Sequence, residues 1–255
     1  MIIPILYEDD EVLALNKPAG LVVHSDGRTK EETLVDWISE QYPDIKERNV
    51  GEPIILSDGS EIKKYGIVHR LDRDTSGVIL VAKIQESFLN LKMQFQSRGI
   101  KKKYKAIVYG FFKETHGTID KPIARSASDF RRWSAEYGAR GEKREAITEY
   151  NILQQGEVTV EGKKKNKPEV IKVSYIDIFP HTGRTHQIRV HFKAVGHPLV
   201  CDALYAPKMP CILGFKRTAL HSSSIVFRGI DGVERKVEAP LPDDFSSALA
   251  KLNIL

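Results

Sequence analysis

The chain has 255 residues, of which 41% are hydrophobic and 29% are charged, and its formal net charge at pH 7 is +5. Such a soluble chain is long enough to bury a large core as one domain or as two closely joined halves, and we expect a single domain spanning residues 1–255. It contains no apolar run approaching the roughly 18 residues of a membrane-spanning helix, which excludes a helical membrane protein. The positive charge favours an anionic partner such as nucleic acid, although many basic proteins bind none.

The cysteines and the amino terminus bear on the compartment. Cys201 and Cys211 are the only cysteines, too few for a disulfide scaffold and spaced unlike a zinc site. The amino terminus lacks a basic region and a small-residue cleavage site, and it becomes acidic at Glu8, so it does not resemble a secretory signal. We therefore expect a protein of the reducing cytoplasm.

Apolar periodicity and turn residues predict a chain of mixed strands and helices. Strands are predicted at residues 2–6, 12–15, around Val68, and at 78–81, 103–108, 158–160 and 170–178. Helices are predicted at residues 30–41, 86–97 and 185–195, the first of them opened by a capping box at residues 29–32. Residues 47–64 are expected to be a weakly ordered surface segment.

A carboxylate lies in a polar, cationic turn between two apolar runs. Asp72 follows Arg70 and precedes Arg73, and both arginines favour its ionised form. Because strands flank the turn, its polar side chains are expected at the strand ends, where a substrate can reach them. An ionised carboxylate can act as a nucleophile. The alternative is that Asp72 caps a turn or closes a structural ion pair.

Residues 69–77 read His-Arg-Leu-Asp-Arg-Asp-Thr-Ser-Gly, and this string resembles the central motif of the RluA-type pseudouridine synthases. The resemblance extends over most of the chain, because residues 6–24, 101–110, 181–191 and 196–205 are similar to the other motifs of that family in the same order. Several ordered motifs of this length rarely coincide by chance. The carboxy-terminal residues resemble the closing strand and final helix of the family.

The resemblance implies an α+β fold with a mostly antiparallel, mixed central sheet and flanking helices. It implies an enzyme that isomerises uridine to pseudouridine in RNA without a cofactor or a metal, with Asp72, Tyr104 and Arg184 as catalytic residues. Tyr104 is expected to stack on the target base, and Arg184 to pair with Asp72. Whether Asp72 attacks ribose C1′ or C6 of the base, or takes a ribose proton, stays open. Substrate-binding roles are predicted for His69, Arg70, Leu71, Thr75, Arg131, Arg132, Gln187 and Arg189.

Residues 122–144 mix cations with aromatic side chains, among them Arg131, Arg132 and Phe130. Arginines bind phosphates, and exposed rings accept unstacked bases. The segment is expected to be a loop that contacts RNA, the role that the resemblance also gives it; the alternative is a solvated loop anchored by its aromatic rings.

Further expectations concern the substrate and the local geometry. The chain resembles a compact form of the family without a small amino-terminal RNA-binding domain, and we expect a monomer acting on ribosomal RNA, 23S rRNA being favoured over tRNA.

Cys201 stands where the family usually has glycine, and the fold is expected to accept it at a negative φ. The competing hypotheses are a noncatalytic RNA-binding or ribosome-assembly protein and a metal-dependent hydrolase, against which the histidine spacing argues.

Overall fold

The computed structural model describes residues 1–25, 31–55, 59–136, 139–161 and 168–252. Its strands are β1 Ile5–Glu8, β2 Val12–Lys17, β3 Ile54–Ile55, β4 Glu61–Ile62, β5 Ser76–Ala82, β6 Lys101–Tyr109, β7 His116–Asp120, β8 Ile123–Arg125, β9 Trp133–Ser134, β10 Arg140–Arg144, β11 Ile147–Glu161, β12 Pro168–Pro180, β13 Leu220–Arg228 and β14 Glu234–Glu238. Its helices are α1 Leu34–Gln41, α2 Pro43–Glu47, α3 Gln85–Gln96, α4 Gln187–Ala194 and α5 Asp243–Lys251. The predicted α+β class, with a central and mostly antiparallel sheet, is confirmed. Within the described ranges, no helix has both the length and the apolar character needed to cross a membrane.

The chain divides into two compact units. The first contains Met1–Lys102 and Ser222–Pro240, and the second contains Lys103–His221 and Leu241–Leu255. The first unit is therefore built from two segments that are distant in sequence. That residues 1–255 form one catalytic domain stays a prediction.

The sheet of the first unit is centred on β5. Strand β2 pairs antiparallel with β5 on one side and with β1 on the other, whereas β13 lies on the opposite side of β5 and pairs with β14. Every residue of β5 is buried, as expected for a strand that reads Ser-Gly-Val-Ile-Leu-Val-Ala with almost no polar alternation. The chain that precedes β5 carries Asp72, so this buried strand supports the turn at residues 69–75.

Gly77 allows β5 and β13 to approach closely. Its φ is +109°, and a Cβ atom built on it would lie 2.1 Å from the carbonyl oxygen of Ser222. A side chain at this position would therefore collide with backbone, and only glycine adopts this conformation at low cost. The glycine of the Thr-Ser-Gly string is explained by this contact.

Several sequence predictions for the first unit need correction. The first helix begins at Leu34 rather than at residue 30, because Thr33 is its N-cap and forms a reciprocal capping box with Asp36. The predicted box at residues 29–32 lies partly outside the described residues. Val68 does not belong to a strand, although the preceding residue, Ile67, forms an isolated bridge with Val81. The helix predicted at residues 86–97 is confirmed as α3.

The segment predicted to be weakly ordered, residues 47–64, carries some regular structure. A short pair of strands, β3 and β4, forms there around residues that are not described. Ahead of it, Pro43 begins α2 instead of only ending α1, which agrees with the preference of proline for the first turn of a helix.

The second unit contains the strand order β6-β12-β11-β7, all antiparallel. Side chains of β6 alternate between its two faces: Ala106 and Val108 belong to one hydrophobic cluster with Tyr104 packed against it, and Ile107 and Tyr109 belong to another. The predicted alternation and the inward direction of Tyr104 are confirmed. The hairpin of β11 and β12 is longer than predicted, and its basic tip at residues 162–167 lies outside the described residues.

Residues 122–144 were predicted to be a loop, and this prediction is wrong. They contain a small antiparallel sheet in the order β10-β8-β9. Apolar side chains explain the difference, because Ile123 is buried in a cluster with Val190 and Tyr205, against which Trp133 packs. The segment is thus held by its own buried apolar side chains. Its many charged residues hide this feature from a reading of apolar periodicity.

Cys201 differs from prediction in two respects. Its φ is +58° rather than negative, a left-handed backbone conformation that favours glycine. Cys201 also forms a disulfide with Cys211, with Cα atoms 4.6 Å apart. Two cysteines do make a covalent link here, in a chain for which a reducing compartment was expected.

Cys211→Ser is expected to lower the free energy of unfolding by about 3 kcal/mol under oxidising conditions, because the disulfide joins residues separated by 10 positions and restricts the unfolded chain. Urea unfolding followed by circular dichroism measures this difference. Reductant should lower the stability of the wild type by a similar amount and leave the variant unchanged. Equal stability of the wild type with and without reductant would contradict the expectation.

Candidate active site

The motif turn, residues 69–75, leads directly into β5. Leu71 and Thr75 are buried within it, Asp72 is half-buried, and Arg70 is exposed. The Thr75 amide donates to the Asp72 carbonyl oxygen at 3.1 Å, which closes the turn. A carboxylate at the surface end of a buried strand is held in place yet reachable by a substrate.

Arg73, predicted to act on Asp72, has a partner of its own. Its Nη1 lies 2.7 Å from Oε2 of Glu31, and both side chains are about half exposed. An ion pair as exposed as this contributes little to stability. Its effect is to direct one of the two flanking arginines toward the segment that precedes α1.

Lys17 holds the motif turn through a hydrogen bond to its backbone. Its side chain is fully buried at the end of β2, and its Nζ donates to the carbonyl oxygens of Pro18 at 2.8 Å, Leu21 at 2.7 Å and Arg73 at 2.9 Å. The three ammonium protons therefore have three acceptors. The Gly20 amide donates to the same Arg73 carbonyl oxygen at 2.9 Å. Lys17 thus ties residues 18–21 to the turn that carries Asp72.

The other predicted catalytic residues lie in the second unit. Tyr104 is on β6, directly opposite Ile178 of β12, with its ring partly buried. Arg184 precedes α4, where its amide donates to Oε1 of Gln187 at 3.0 Å and its Nε donates to the carbonyl oxygen of Glu145 at 3.0 Å. These contacts fix the backbone and one edge of the Arg184 guanidinium.

Gln187 is buried and makes contacts through both ends of its amide. Oε1 accepts from Arg184 and from Oγ1 of Thr182, the latter at 2.6 Å, and Nε2 donates to Ile147 and Thr148 at 3.0 and 2.9 Å. This network secures the turn before α4, which begins at Gln187 rather than at residue 185 because His186 has a left-handed conformation, with φ 57°. The observed contacts of Gln187 support an orienting effect on Arg184.

Arg189 is held by a bidentate pair with Asp202. Nε and Nη2 donate to the two carboxylate oxygens at 2.7 and 2.8 Å, and the guanidinium lies 5.0 Å from the ring centre of Tyr205. The Tyr205 hydroxyl oxygen accepts from the Trp133 amide at 3.0 Å and lies 2.9 Å from Nδ1 of His186. A partly buried network therefore links the residues before α4 to strand β9.

The predicted RNA-contact residues cluster on the turn between β8 and β9. Arg131 donates to Asp129 through Nε and Nη2 at 3.1 and 2.9 Å, and Arg132 lies 3.3 Å from the same carboxylate. Hydrogen bonds from Arg131 lower the pKa of Asp129 to about 2. Phe130 between the two arginines is 83% exposed. The turn therefore presents the Phe130 ring and the Arg131 guanidinium to solvent, whereas Arg132 is half-buried.

Sequence reasoning missed three of the residues that organise these sites. Lys17, Asp202 and Tyr205 were not selected, although a lysine at the end of a mostly apolar strand, as Lys17 is, indicates a buried and therefore paired cation. Asp202 and Tyr205 gave no comparable signal, because their partners are distant in sequence. In the described ranges, no three His, Cys, Asp or Glu side chains come together as a metal site requires; the absence of a metal and of a cofactor stays a prediction.

Residues 11–194, which include Asp72, Tyr104 and Arg184, match the family model described as RNA pseudouridylate synthase. The chain belongs to the RNA pseudouridylate synthase family. It is an RNA uridine isomerase, which confirms the resemblance to the RluA-type enzymes and the predicted class of enzyme. The noncatalytic alternative and the hydrolase alternative do not fit this membership.

Curated relatives and solved structures agree with the family assignment. The synthase is 39% identical over 206 residues to an uncharacterized RNA pseudouridine synthase of Aquifex aeolicus, a match that covers 81% of this chain and 57% of that one. It is 32% identical to ribosomal large subunit pseudouridine synthase D of Pseudomonas aeruginosa, over 97% of this chain and 71% of the relative. Human RNA pseudouridylate synthase domain containing 1 has a TM-score of 0.68 at 25% identity, and the match covers 96% of this chain and 84% of the human one.

Proposed function

We propose that Asp72 is the catalytic carboxylate of the synthase, that Tyr104 stacks on the target uracil, and that Arg184 holds the carboxylate ionised and aimed. The observation that supports this most directly is that the chain directly after Asp72 is held in place, by the hydrogen bond from Lys17 to the Arg73 carbonyl oxygen and by the turn that the Thr75 amide closes before β5. A reaction at the glycosidic bond needs a group held in one geometry, because rate depends steeply on orientation.

A uridine stacked within RNA cannot present its glycosidic carbon to a protein carboxylate. The target nucleotide is therefore flipped out of its stack. Arg70, exposed two residues before Asp72, is the side chain that we assign to the space left by the base. Leu71 and Thr75 are buried beside Asp72, and we assign to them the wall of the uracil pocket.

The proposed substrate is ribosomal RNA of the large subunit, in preference to tRNA. The support is the name of the Pseudomonas relative, a ribosomal large subunit pseudouridine synthase, together with the net charge of +5. We further propose that the synthase acts as a monomer in the cytoplasm, without a metal or a cofactor.

Tritium release tests the proposed reaction, because attachment at C5 displaces the hydrogen on that carbon. The substrate is bulk RNA carrying 5-tritiated uridine, made in a strain that lacks its own synthases. Release by the wild type, undiminished by chelator, supports the proposal; release that chelator abolishes argues for metal chemistry. Separate ribosomal and transfer RNA fractions decide the substrate class.

Arg131→Ala is expected to weaken RNA binding and to lower the slope of log affinity against log salt concentration by about 0.7 to 0.9 for each phosphate that the variant no longer binds. Its side chain is 64% exposed beside Phe130. Arg132→Ala is expected to act in the same direction. Filter binding to ribosomal RNA at several salt concentrations measures both slopes.

Arg48→Ala is the matched control for this measurement. It removes the same charge from a side chain that is 63% exposed and whose Nη2 lies 3.9 Å from Oδ2 of Asp44, in a cavity also lined by Glu8 and Glu11. Its salt slope should equal that of the wild type. A slope unchanged by Arg131→Ala, or equally changed by Arg48→Ala, would remove the turn between β8 and β9 from the RNA interface.

A further inference from the structure

The chain approaches β5 at Gly66 and leaves it before the motif turn. The Ala82 amide donates to the Gly66 carbonyl oxygen at 2.8 Å, and Ile67 forms an antiparallel bridge with Val81. The approach is close, because a Cβ atom on Gly66 would lie 2.1 Å from the Ala82 carbonyl oxygen. Residues 66 and 67 therefore begin an antiparallel pairing with β5, and the backbone of the following residues does not continue it.

The next amide of that ladder is bound by a side chain. In the register that pairs residue 66 with 82 and 67 with 81, the Leu80 amide would face the Val68 carbonyl oxygen. The Leu80 amide instead donates to Nε2 of His69 at 2.9 Å. The imidazole thus takes the place of a backbone acceptor, at the point where the chain turns away toward Arg70 and Asp72.

The hydrogen bond determines the tautomer of His69. A backbone N–H can only donate, so Nε2 must offer its lone pair and the ring proton must be on Nδ1. The ring is also stacked on Phe95 of α3, with centroids 4.7 Å apart and planes inclined by 28°. Phe95 continues the buried face of α3 formed by Phe88 and Leu91. Two independent contacts therefore set the position and the rotation of the ring.

The electrostatic surroundings agree with a neutral ring. Burial and the positive charge of Lys102 lower the pKa of His69 to about 3. Lys102 at the start of β6 is the charged group acting on the ring, whereas α3 contributes the Phe95 ring and β5 contributes the Leu80 amide. A second proton on the imidazole would place an N–H against the Leu80 N–H and abolish the hydrogen bond.

We propose that His69 is a positioning residue for the isomerisation: its Nε2 lone pair fastens the chain to β5 and so sets where the Arg70–Leu71–Asp72 segment begins. The proposal rests on the assignment of Asp72 as the catalytic carboxylate. Asp72 is three residues beyond His69 and directly precedes Arg73, so the His69 contact on one side and the Lys17 contact with Arg73 on the other bracket it. His69 itself needs no contact with the substrate.

Two amide variants separate this role from mere space filling. The carbonyl oxygen of glutamine is as far from Cβ as Nε2 of histidine, whereas that of asparagine falls near the position of Nδ1. His69→Gln keeps an acceptor for the Leu80 amide, and His69→Asn does not. Both variants are neutral and polar, which makes each the control of the other.

The experiment measures tritium release at saturating RNA and RNA affinity for the wild type and both variants, with 5-tritiated bulk RNA as the probe. His69→Asn is expected to lower the rate about 10²-fold with the dissociation constant changed by less than about threefold, and His69→Gln is expected to restore most of the rate. Equal losses in the two variants would overturn the proposal, as would a loss of affinity at unchanged rate.

Nitrogen-15 NMR of the histidine rings provides a readout that does not depend on turnover. The expected result is a His69 ring protonated on Nδ1, with no titration between about pH 8 and pH 5. A proton on Nε2, or titration in that range, would overturn the proposed contact. If the wild type releases no tritium, the proposed function has failed, and the NMR result still decides whether His69 holds the chain on β5.

Discussion

Asp72→Asn is expected to lower the rate of tritium release about 10³-fold or more while leaving the dissociation constant for RNA within about threefold of the wild type. The substitution keeps the shape of the side chain and removes only its capacity to ionise. Every proposed role of Asp72, as a nucleophile at C1′ or C6 or as a base toward the ribose, needs the ionised carboxylate. The backbone contact from the Thr75 amide to the Asp72 carbonyl oxygen does not involve the side chain, so the turn should persist.

Asp74→Asn is the matched control, because it makes the same chemical change at a half-buried position two residues further along the same turn. Single-turnover release and filter binding, performed on both variants, distinguish catalysis from binding. A rate for Asp72→Asn within tenfold of the wild type, or an equal loss in Asp74→Asn, would show that the carboxylate of Asp72 does not perform the chemistry.

Lys17→Met is expected to lower the free energy of unfolding by about 3 to 5 kcal/mol. Methionine has a similar length and fits an apolar site, but it leaves the carbonyl oxygens of Pro18, Leu21 and Arg73 without the ammonium donor. Buried acceptors that lose a donor carry the full cost of leaving water. The Arg73 carbonyl oxygen would retain only the Gly20 amide among the donors described above, so the motif turn should loosen as well.

Urea unfolding of Lys17→Met measures this loss, with Lys46→Met as the control, because Lys46 is an exposed lysine on α2 of the same unit. Lys46→Met should change the stability by less than about 0.5 kcal/mol. A loss of less than about 1 kcal/mol for Lys17→Met would mean that the three hydrogen bonds do not hold the loops together.

Much of the fold was predictable because local patterns agreed with it. The residues of β5 are apolar almost without interruption, and α3 has the 3.6-residue periodicity that packs Phe88 and Leu91 inward. The motif turn was located because its string of residues is long and complete. The family was inferred from that string and the motifs around it, and the fold class was inferred from the resemblance to the family.

Several of the errors share a physical cause, because they depend on contacts or backbone conformations that the apolar pattern of the sequence does not show. Residues 122–144 form a small sheet because Ile123 is buried with Val190 and Tyr205. The sequence around Ile123 does not indicate these two partners. Val68 is a residue type that favours strands, but the Leu80 amide donates to the His69 side chain and not to the Val68 carbonyl oxygen. The composition of the chain likewise did not predict the left-handed backbone of Cys201 or its disulfide with Cys211.

The first unit is assembled from two segments that lie far apart in the chain, and this affects when it can form. Strand β5 is available early in synthesis, but its neighbour β13 follows much later: the Ser222 hydroxyl that donates to the Val78 carbonyl oxygen is 144 residues further on. Until then, one edge of the most apolar strand in the unit has no partner in β13, and an open apolar edge invites pairing with other chains. A ribosome that stalls before residue 222 would leave β5, the strand that supports the motif turn, without this partner. Truncation late in the message would therefore impair the folding of a segment that is encoded near its beginning.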